Sequence, residues 1–497
     1  MVSVGIIGGG LAGLSAAAEL RKQGFRDVTI LEARDRTGGR IHTKQYEEKF
    51  IEMGAQYIHG QGSNPVYKIA LTEQLLYDKH DEKTLPFEDP VNNHFHRSDG
   101  TRIDPDLVQE THVELEQILD AGEMESLLDA KDGVSSISVG GFVRELYSKK
   151  LKQSNLPEHI KHTKESLMFW RMQMERTESA CNTMDELSMD AWREYDDPVG
   201  SDGIVFKKKG FQGILDFFLK QIPASSIKLN CPVESIAWDE VSVQQEEANV
   251  KVNANRVPRT AVTTTKGDTF FFDYVIVTCP LGVLKKHAST MFKPELPVVK
   301  TKAIENIGFG TVNKIFLAFD EPFWDKDCKS FQLVWHPEDD FHDLDLLVRQ
   351  DTPWYQSLHS IDTVDGVSDL LIGWIPGRAA QQTEEIAEDI LLDLCHELLV
   401  KFTGNAVIPR PSRLFRSHWS LDEYSLGSYS YIPKGFTAKL CDDLKEPLPS
   451  AKAPRLLFAG EATHANEYST AQGALETGQT AAQIIVKHTD MFLNLER

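Results

Sequence analysis

The stretch VSVGIIGGGLAG, residues 2–13, decides how the chain begins and which fold it enters. Residues 2–7 are an apolar run of strand length, and residues 14–22 are rich in alanine and leucine, as a helix should be. Between these two segments lie three glycines at the spacing Gly-x-Gly-x-x-Gly, namely Gly8, Gly10 and Gly13. The stretch therefore predicts a strand, a glycine turn and a helix in direct succession.

A second predicted strand completes a nucleotide-binding unit. Residues 28–31 are another apolar run, and Glu32 follows about 20 residues after the glycines, where a carboxylate can accept hydrogen bonds from an adenosine ribose. Arg34, Gly39 and Arg40 then place two cations and a flexible corner directly behind this acid. Such a corner suits a pyrophosphate, so the ligand predicted here is a dinucleotide.

The loop EMGAQYIHG, residues 52–60, follows this unit. Its small residues Gly54 and Ala55 would let the backbone approach a flat ring closely. The alternative is an ordinary turn that carries His59 on the protein surface. The loop taken by itself leaves both interpretations open.

The far end of the chain contains a second strand-to-helix passage. Residues 456–464 read LLFAGEATH, and small residues at helical spacing follow Thr470. This pattern predicts a strand that delivers the chain to a helix N-terminus. Unpaired N–H groups and the helix dipole favour an anion at such a terminus.

Composition limits the possible functions of the chain. Its 497 residues suggest two or three domains, and a net charge of −22 argues against nucleic acid or anionic lipid as a partner. Acidity for solubility alone is an equally good explanation of that charge. Six scattered cysteines without a CxxC pair indicate neither a zinc site nor a disulfide framework. No apolar run of about 18 residues is present to span a bilayer.

Three segments give the chain a family resemblance. GGGLAG, EARDRTGGR and MGAQYIHG together resemble the flavin-dependent amine oxidases, and the IHG ending is similar to the polyamine oxidase branch. The resemblance implies noncovalent FAD, because Ser428 stands where monoamine oxidases carry the cysteine joined to the flavin. It implies that the residues around FAD are Gly8, Gly10, Ala12, Gly13, Glu32, Arg34, Gly39, Arg40, Gly54, Ala55, Val233, Trp419, Glu461 and Thr470.

Lys314 is the most informative single residue. In the run GFGTVNKIFLAF, residues 308–319, both faces of a strand would be apolar, so the lysine is drawn inside. A lysine is rarely fully buried unless it has a partner or a task, although its stem could instead snorkel to solvent at the strand start. In the resembling family the matching lysine holds a water against flavin N5, which implies a catalytic role here.

The resemblance also implies which residues contact substrate. Glu175 matches an acid that meets the substrate amine, although Glu175 and Glu178 at helical spacing could simply be a solvated helix face. Tyr429 and Tyr468 match aromatic residues of the pocket, Thr470 lies near the flavin ring, and His59 would position the substrate. Electron-rich ring faces favour amines. Without the resemblance, Tyr429 would be read as one face of a sheet.

The predicted fold combines α/β and α+β architecture, with a Rossmann-type FAD-binding domain and an interleaved substrate-binding domain. Residues 1–65, 198–285 and 412–497 are assigned to the FAD-binding domain. Residues 66–197 and 286–411 are assigned to the substrate-binding domain, a mixed sheet flanked by helices. Both domains are therefore predicted to be discontinuous in sequence.

The predicted activity is FAD-dependent oxidation of polyamines, with O₂ reduced to hydrogen peroxide. Spermine, spermidine and their N1-acetyl forms are the candidate substrates. An L-amino-acid oxidase or another flavin amine oxidase is the alternative enzyme, and a flavin-binding regulator without chemistry is the alternative outside enzymes. No metal, nucleic acid or membrane partner is predicted.

The cellular setting is predicted less directly. Cytoplasm is expected from the cysteine pattern, with the peroxisome as the alternative, although Leu495-Glu496-Arg497 is not an address of the Ser-Lys-Leu type. A monomer or weak dimer is expected.

Overall fold

The computed structural model describes residues 2–77, 86–130, 133–196, 198–201, 203–239, 260–336 and 354–495. No helix in these ranges is both long and apolar enough to cross a lipid bilayer. The end of the predicted first substrate segment, residue 197, and the final Glu496-Arg497 lie outside the described residues.

The strands of the described residues are numbered in chain order. They are β1 Ser3–Ile7, β2 Asp27–Leu31, β3 Thr43–Tyr46, β4 Lys49–Glu52, β5 Asn93–Arg97, β6 Ile227–Lys228, β7 Val233–Ala237, β8 Thr260–Thr264, β9 Thr269–Phe272, β10 Tyr274–Val277, β11 Phe292–Lys293, β12 Gly308–Gly310, β13 Val312–Ala318, β14 Ser330–Val334, β15 Ser360–Val364, β16 Val367–Pro376, β17 Arg413–Arg416, β18 Tyr429–Tyr431 and β19 Leu456–Phe458.

The α-helices of the described residues are numbered in the same way. They are α1 Leu11–Lys22, α2 Pro65–Thr72, α3 Pro105–Asp129, α4 Val139–Gln153, α5 Glu158–Ser179, α6 Met189–Glu194, α7 Gln212–Leu219, α8 Leu281–Met291, α9 Val298–Asn306, α10 Gly377–Glu385, α11 Glu388–Thr403, α12 Lys439–Lys445 and α13 Ala471–Leu495.

A five-stranded parallel sheet, in the order β19-β10-β1-β2-β6, brings the two ends of the chain together. On this sheet α1 packs closely against α13. The Ser15 hydroxyl donates to the Leu475 carbonyl at 2.9 Å, and a Cβ at Gly478 would lie only 2.2 Å from the Ala12 carbonyl oxygen. A glycine in α13 therefore lets the first and last helices come into backbone contact.

A six-stranded sheet, in the order β17-β13-β16-β15-β14-β5, forms a second layer of structure. Its neighbouring strands are antiparallel except for β14 and β5. Strand β13 is buried along its whole length because β16 and β17 flank it on both sides. The parallel sheet and this mixed sheet with its helices confirm the predicted fold class.

The predicted domain boundaries can be compared with the sheets. The strands of the parallel sheet fall within the three segments assigned to the FAD-binding domain. However, β17 follows the boundary at residue 411 and yet pairs with β13 of the six-stranded sheet. Helix α2 belongs to the assigned substrate segment, but its Val66 and Ala70 join the apolar core around β1. The domain assignment remains a prediction.

Lys300 fixes the end of a helix beside the parallel sheet. It is 2% exposed, and its amino group donates to the carbonyl oxygens of Leu444 and Glu446 at 2.7 Å each and of Asp443 at 3.2 Å. The same nitrogen lies 4.5 Å from the ring centre of Phe458 in β19. The lysine therefore satisfies carbonyl groups that the last turn of α12 leaves without helical partners.

Replacing Lys300 with methionine should lower the free energy of unfolding by about 2–4 kcal/mol, because buried carbonyl oxygens lose a charged donor. Urea and thermal unfolding followed by circular dichroism would measure this loss. Lys302→Met removes an exposed lysine from α9, the helix that also carries Lys300, and serves as the control. Equal midpoints for the two variants would show that Lys300 does not stabilise α12.

Candidate active site

The glycine turn after β1 leaves the first turn of α1 open to an anionic ligand. The helix begins at Leu11, three residues earlier than predicted, and Gly10 at its N-cap makes no side-chain capping bond. A Cβ at Gly13 would lie 2.1 Å from the Gly8 carbonyl oxygen, whereas the nearest atom to a Cβ at Gly10 is the Gly38 carbonyl oxygen at 3.9 Å. Gly8 adopts φ +108°, which only glycine adopts readily. Ala12 lies in the same first turn, whose backbone N–H groups fit a pyrophosphate.

Glu32 stands at the end of β2, as predicted, and is 3% exposed. Its carboxylate accepts hydrogen bonds from the backbone N–H of Gly9 at 2.6 Å and of Arg34 at 2.8 Å. The guanidinium of Arg34 is in an ion pair with Asp422 at 2.5 Å. Arg34 therefore ties this corner to the C-terminal segment, and its predicted contact with the cofactor remains untested.

The segment that precedes Val233 runs alongside this corner. The Asn230 N–H donates to the Arg34 carbonyl, and the Cys231 N–H donates to the Glu32 carbonyl, both at 2.8 Å. Val233 then starts β7 two residues later. This path is consistent with the implied backbone contact to adenine, which remains a prediction.

Arg40, which is partly exposed, forms an ion pair with the buried Glu461 between the two ends of the chain. Their closest nitrogen–oxygen distance is 2.7 Å, and Arg40 also donates to the Ser428 carbonyl at 2.8 Å. The second carboxylate oxygen of Glu461 accepts from the Ser430 hydroxyl at 2.5 Å and from the Ser469 N–H at 2.9 Å. Glu461 thus holds three chain segments in place around the predicted cofactor site.

Lys314 is buried in β13, which excludes the alternative in which it snorkels to solvent. It is 2% exposed, and its amino group donates to the carbonyl oxygens of Glu52 and Gly54 at 2.7 and 2.6 Å and to the Gln56 side-chain oxygen at 2.7 Å. An ammonium group has three N–H donors, so these acceptors use all of them. Lys314 therefore clamps the loop of residues 52–56.

The same loop is packed against Trp419. The indole N–H of Trp419 donates to the Met53 carbonyl at 3.0 Å. A Cβ at Gly54 would lie 1.8 Å from the Arg40 carbonyl oxygen and 3.1 Å from the Trp419 ring. Ala55 follows and donates its N–H to the Arg40 carbonyl at 3.3 Å. Only glycine fits at position 54, and Gly39 beside it adopts φ +59°.

Glu52 places a titratable group behind the clamped loop. Its carboxylate accepts from the Phe211 N–H at 2.6 Å and from the Thr43 hydroxyl at 2.8 Å. Burial raises the pKa of Glu52 to about 7, while those hydrogen bonds and the nearby Lys314 charge act in the opposite direction. The carboxyl group can therefore change charge near neutral pH.

Sequence reasoning missed two aromatic residues next to Lys314. The ring of Trp374 lies 4.2 Å from the Lys314 amino nitrogen, and Tyr57 stacks on that ring with centroids 6.1 Å apart and planes 24° apart. Trp374 is opposite Lys314 in the antiparallel register of β13 and β16. Only that cross-strand register, which a single sequence does not reveal, brings the two residues together.

The structure distinguishes the two acids near the end of α5. Glu175 is 4% exposed and forms a salt bridge with Arg171, so it is not part of a solvated face. Burial raises the pKa of Tyr429, and the negative charge of the exposed Glu178 raises it further. The Tyr429 hydroxyl binds the carbonyl of Thr177, the residue directly before Glu178, while the substrate contact of Glu175 stays a prediction. Successive helix positions differ by about 100° in direction, and packing decides which one faces the site.

Tyr429 and Tyr468 have different neighbours. The Tyr429 hydroxyl donates to the Thr177 carbonyl in the last turn of α5. The ring of Tyr468 packs edge-on against Tyr195, with centroids 5.0 Å apart, and its carbonyl accepts from the Tyr195 hydroxyl at 3.2 Å. These contacts place Tyr429 against the helical segment, and they anchor Tyr468 to the residues that follow α6.

Thr470 caps the helix that closes the site. Its hydroxyl accepts from the Gly473 N–H at 2.9 Å and donates to the Glu467 carbonyl at 2.8 Å, so it serves as the N-cap of α13. Asn64 joins this helix start to the His59 loop, because its side-chain nitrogen donates both to the Gln472 side chain and to the His59 carbonyl, the latter at 2.7 Å. The half-buried His59 is thereby held near the first turn of α13.

One side-chain group in the described residues has the composition of a metal site. Potential ligand atoms of His464, Glu467 and Glu476 lie within 4.8 Å of one another. However, His464 Nδ1 accepts from the Glu467 N–H at 2.9 Å, so the proton of the neutral ring is on Nε2, 3.4 Å from Glu476. This arrangement favours hydrogen bonds within the group over a metal ion.

Comparison with known proteins identifies the relatives of the chain. Residues 11–486 match the family model described as flavin containing amine oxidoreductase. The peroxisomal N(1)-acetyl-spermine/spermidine oxidase of Bos taurus is 33% identical over 493 residues, which cover 95% of this chain and 92% of the relative. Polyamine oxidase 1 of Oryza sativa subsp. japonica is 28% identical over 528 residues, which cover 97% and 96% of the two chains.

A solved structure shows the same fold. A double mutant of putrescine oxidase, redesigned in its cofactor binding, aligns with a TM-score of 0.66 at 18% identity and covers 97% of this chain and 98% of its own. The buried Glu32 and the loop of residues 52–56 lie within the region that matches the family model. Because the family model spans nearly the whole chain, this protein belongs to the flavin containing amine oxidoreductases, and its cofactor is FAD.

Proposed function

We propose that this chain oxidises polyamines with FAD, at a carbon next to a secondary amine. The observation that carries the proposal is the hydrogen bond from the Tyr429 hydroxyl to the Thr177 carbonyl, which places the Tyr429 ring beside the turn of α5 that also carries Glu178. An acid next to an aromatic ring attracts an alkylammonium group by charge and by cation–π contact. The bovine and rice relatives are named as oxidases of polyamines or their acetyl forms, which supports this substrate class.

The residues of the chain would bind and orient the reactants. When bound, FAD supplies the two-electron acceptor and passes the electrons to O₂ as hydrogen peroxide, while the substrate imine hydrolyses to an aldehyde and a shorter amine. Glu178 would attract a substrate ammonium group, and the Tyr429 ring would pack against the alkyl chain. His59 and Thr470 would position the reacting end by hydrogen bonding.

Lys314 would act mainly through the loop that it holds. Its three donors bind the chain itself, so it fixes the backbone at Gly54, where the cofactor ring is proposed to lie. The predicted water at flavin N5 would have to replace the Gln56 side-chain oxygen at the Lys314 amino group. Fixing the loop would contribute to the rate by holding the reacting atoms at the correct distance and orientation.

Three further assignments are part of the proposal. FAD is bound noncovalently, since Ser428 offers no thiol and its hydroxyl exchanges hydrogen bonds with the Val312 backbone at 2.8 and 2.9 Å. The peroxisome is favoured over the cytoplasm, because the bovine relative is described as peroxisomal. A monomer or weak dimer is retained as the expected assembly.

Anaerobic mixing of the purified yellow protein with spermine, spermidine, their N1-acetyl forms and a set of L-amino acids should bleach the flavin with polyamines. Stopped-flow absorbance would follow the reduction. Bleaching by amino acids alone would favour the alternative L-amino-acid oxidase. No bleaching by any compound would favour a flavin-binding regulator, and either result would overturn the proposed function.

Lys314→Met should retain FAD but slow flavin reduction or reoxidation by about 100-fold, because the loop at residues 52–56 loses its clamp and misplaces the reacting atoms. Separate anaerobic and aerobic half-reactions would show which step is affected. Lys329→Met, which removes a lysine directly before β14 of the same sheet, is the control. Unchanged half-reactions in Lys314→Met would show that holding this loop does not contribute to the rate.

Glu178→Gln should raise KM for cationic polyamines by about 10-fold, corresponding to about 1.4 kcal/mol of lost attraction. Binding of an uncharged competitor should change little. Glu175→Gln is the matched control on the same helix, and it should lower stability through its pairing with Arg171 without changing that charge preference. A larger effect on KM from Glu175→Gln than from Glu178→Gln would identify Glu175 as the acid that meets the substrate amine.

A further inference from the structure

Three successive carbonyl groups of the loop after β4 are held by side chains. Lys314 binds the carbonyl oxygens of Glu52 and Gly54. The carbonyl of Met53, which lies between them, accepts from the indole N–H of Trp419 at 3.0 Å. The cofactor ring is proposed to lie against this backbone. Any residue that fixes Trp419 therefore also fixes the middle of the loop.

Asn313, which directly precedes Lys314 in β13, fixes Trp419. It is fully buried, and its side-chain oxygen accepts from the backbone N–H of Trp419 at 3.2 Å. The same oxygen accepts from the Ser417 hydroxyl at 3.0 Å, and that hydroxyl accepts from the Lys314 N–H at 2.8 Å. A backbone N–H can only donate, so the amide oxygen faces Trp419. Asn313 is thus linked to the backbone of both residues that hold the loop.

The amide nitrogen of Asn313 binds helix α10. It donates to the Glu384 carboxylate at 2.6 Å and to the Ala380 carbonyl at 3.1 Å. Glu384 is 6% exposed and also accepts from the N–H groups of Ser420 and Leu421, at 2.9 Å each. The acid therefore fixes both the amide and the backbone directly after the tryptophan.

The composition of β13 shows that packing alone does not explain this asparagine. The strand reads VNKIFLA, so Asn313 and Lys314 are its only polar residues. Burying polar groups costs free energy unless they are hydrogen-bonded, and an apolar residue would fill the same space without that requirement. The two polar residues are adjacent, and the contacts of both lead to the same loop.

We propose that Asn313 is a positioning residue for the flavin: held by Glu384, it fixes Trp419 and thereby the backbone of residues 52–54 against the cofactor ring. The inference rests on the proposed place of the flavin at this loop and does not depend on which amine is oxidised. Lys314 holds the loop through its own amino group, whereas Asn313 acts through Trp419. Neither Asn313 nor Glu384 needs to touch FAD or substrate.

The test exchanges the amide and the acid. Asn313→Asp places two carboxylates in contact, which should speed FAD release from the holoenzyme about 10-fold and slow reoxidation of the reduced flavin by O₂ about 10- to 100-fold. The double variant Asn313→Asp/Glu384→Gln restores an acid–amide pair with the roles reversed, and it should recover most of both losses. Flavin fluorescence after dilution and stopped-flow absorbance after dithionite reduction would measure the two rates. Visible circular dichroism would report the surroundings of the bound flavin.

Asn93→Asp is the matched control. Asn93 is buried in β5, at the far edge of the same sheet, and its side-chain oxygen accepts from the Ser330 hydroxyl at 2.6 Å. This variant should lose thermal stability but keep wild-type FAD release, flavin circular dichroism and reoxidation. Equal changes in Asn313→Asp and Asn93→Asp would overturn the inference. A double variant that retains FAD but recovers neither rate would also overturn it.

If Asn313→Asp does not fold, Trp419→Phe keeps an aromatic ring but removes the indole N–H that binds Met53. It should change the flavin circular dichroism and slow reoxidation in the same direction, and wild-type values for both would contradict the inference. Dithionite and O₂ are the reactants in these measurements, so no amine is needed. Failure of polyamines to bleach the flavin would therefore overturn the proposed function and leave this inference intact.

Discussion

The ion pair of the partly exposed Arg40 and the buried Glu461 is the contact on which the geometry of the predicted cofactor site depends. It joins the corner behind β2 to the segment after β19, and Glu461 also binds Ser430 and Ser469. Removing Arg40 would leave the buried Glu461 carboxylate without its charged partner. Segments far apart in sequence therefore keep a common geometry around FAD.

Lys314 extends this constraint from the parallel sheet to the six-stranded sheet. Its backbone belongs to β13, whereas its amino group holds the loop that follows β4. Trp374 covers the amino group from the neighbouring strand β16. A residue of one sheet thus positions the backbone predicted to lie against the flavin, and a small shift between the sheets would move that backbone.

Local patterns in the sequence were sufficient for the cofactor-binding features. The strand, the glycine turn and the acid at Glu32 depend on neighbours within one βαβ unit, and the structure has all three. The residues predicted to contact substrate could not be identified from such local patterns. The acid at Glu175 came from the family resemblance, and its contact with substrate stays a prediction; the structure adds that Glu175 pairs with Arg171, which helical spacing does not reveal. Trp374 carried no local signal.

The sequence alone determined the fold class, the dinucleotide-binding turn and the interior position of Lys314, because strand periodicity, glycine spacing and an apolar run are local properties, whereas the flavin followed from the family resemblance. Only the tertiary structure decided which oxygen atoms bind Lys314, which ring covers its amino group and which residue pairs with Glu175. These features depend on strand register and on helix packing. Contacts between residues more than a hundred positions apart set both, and no short stretch of sequence encodes such contacts.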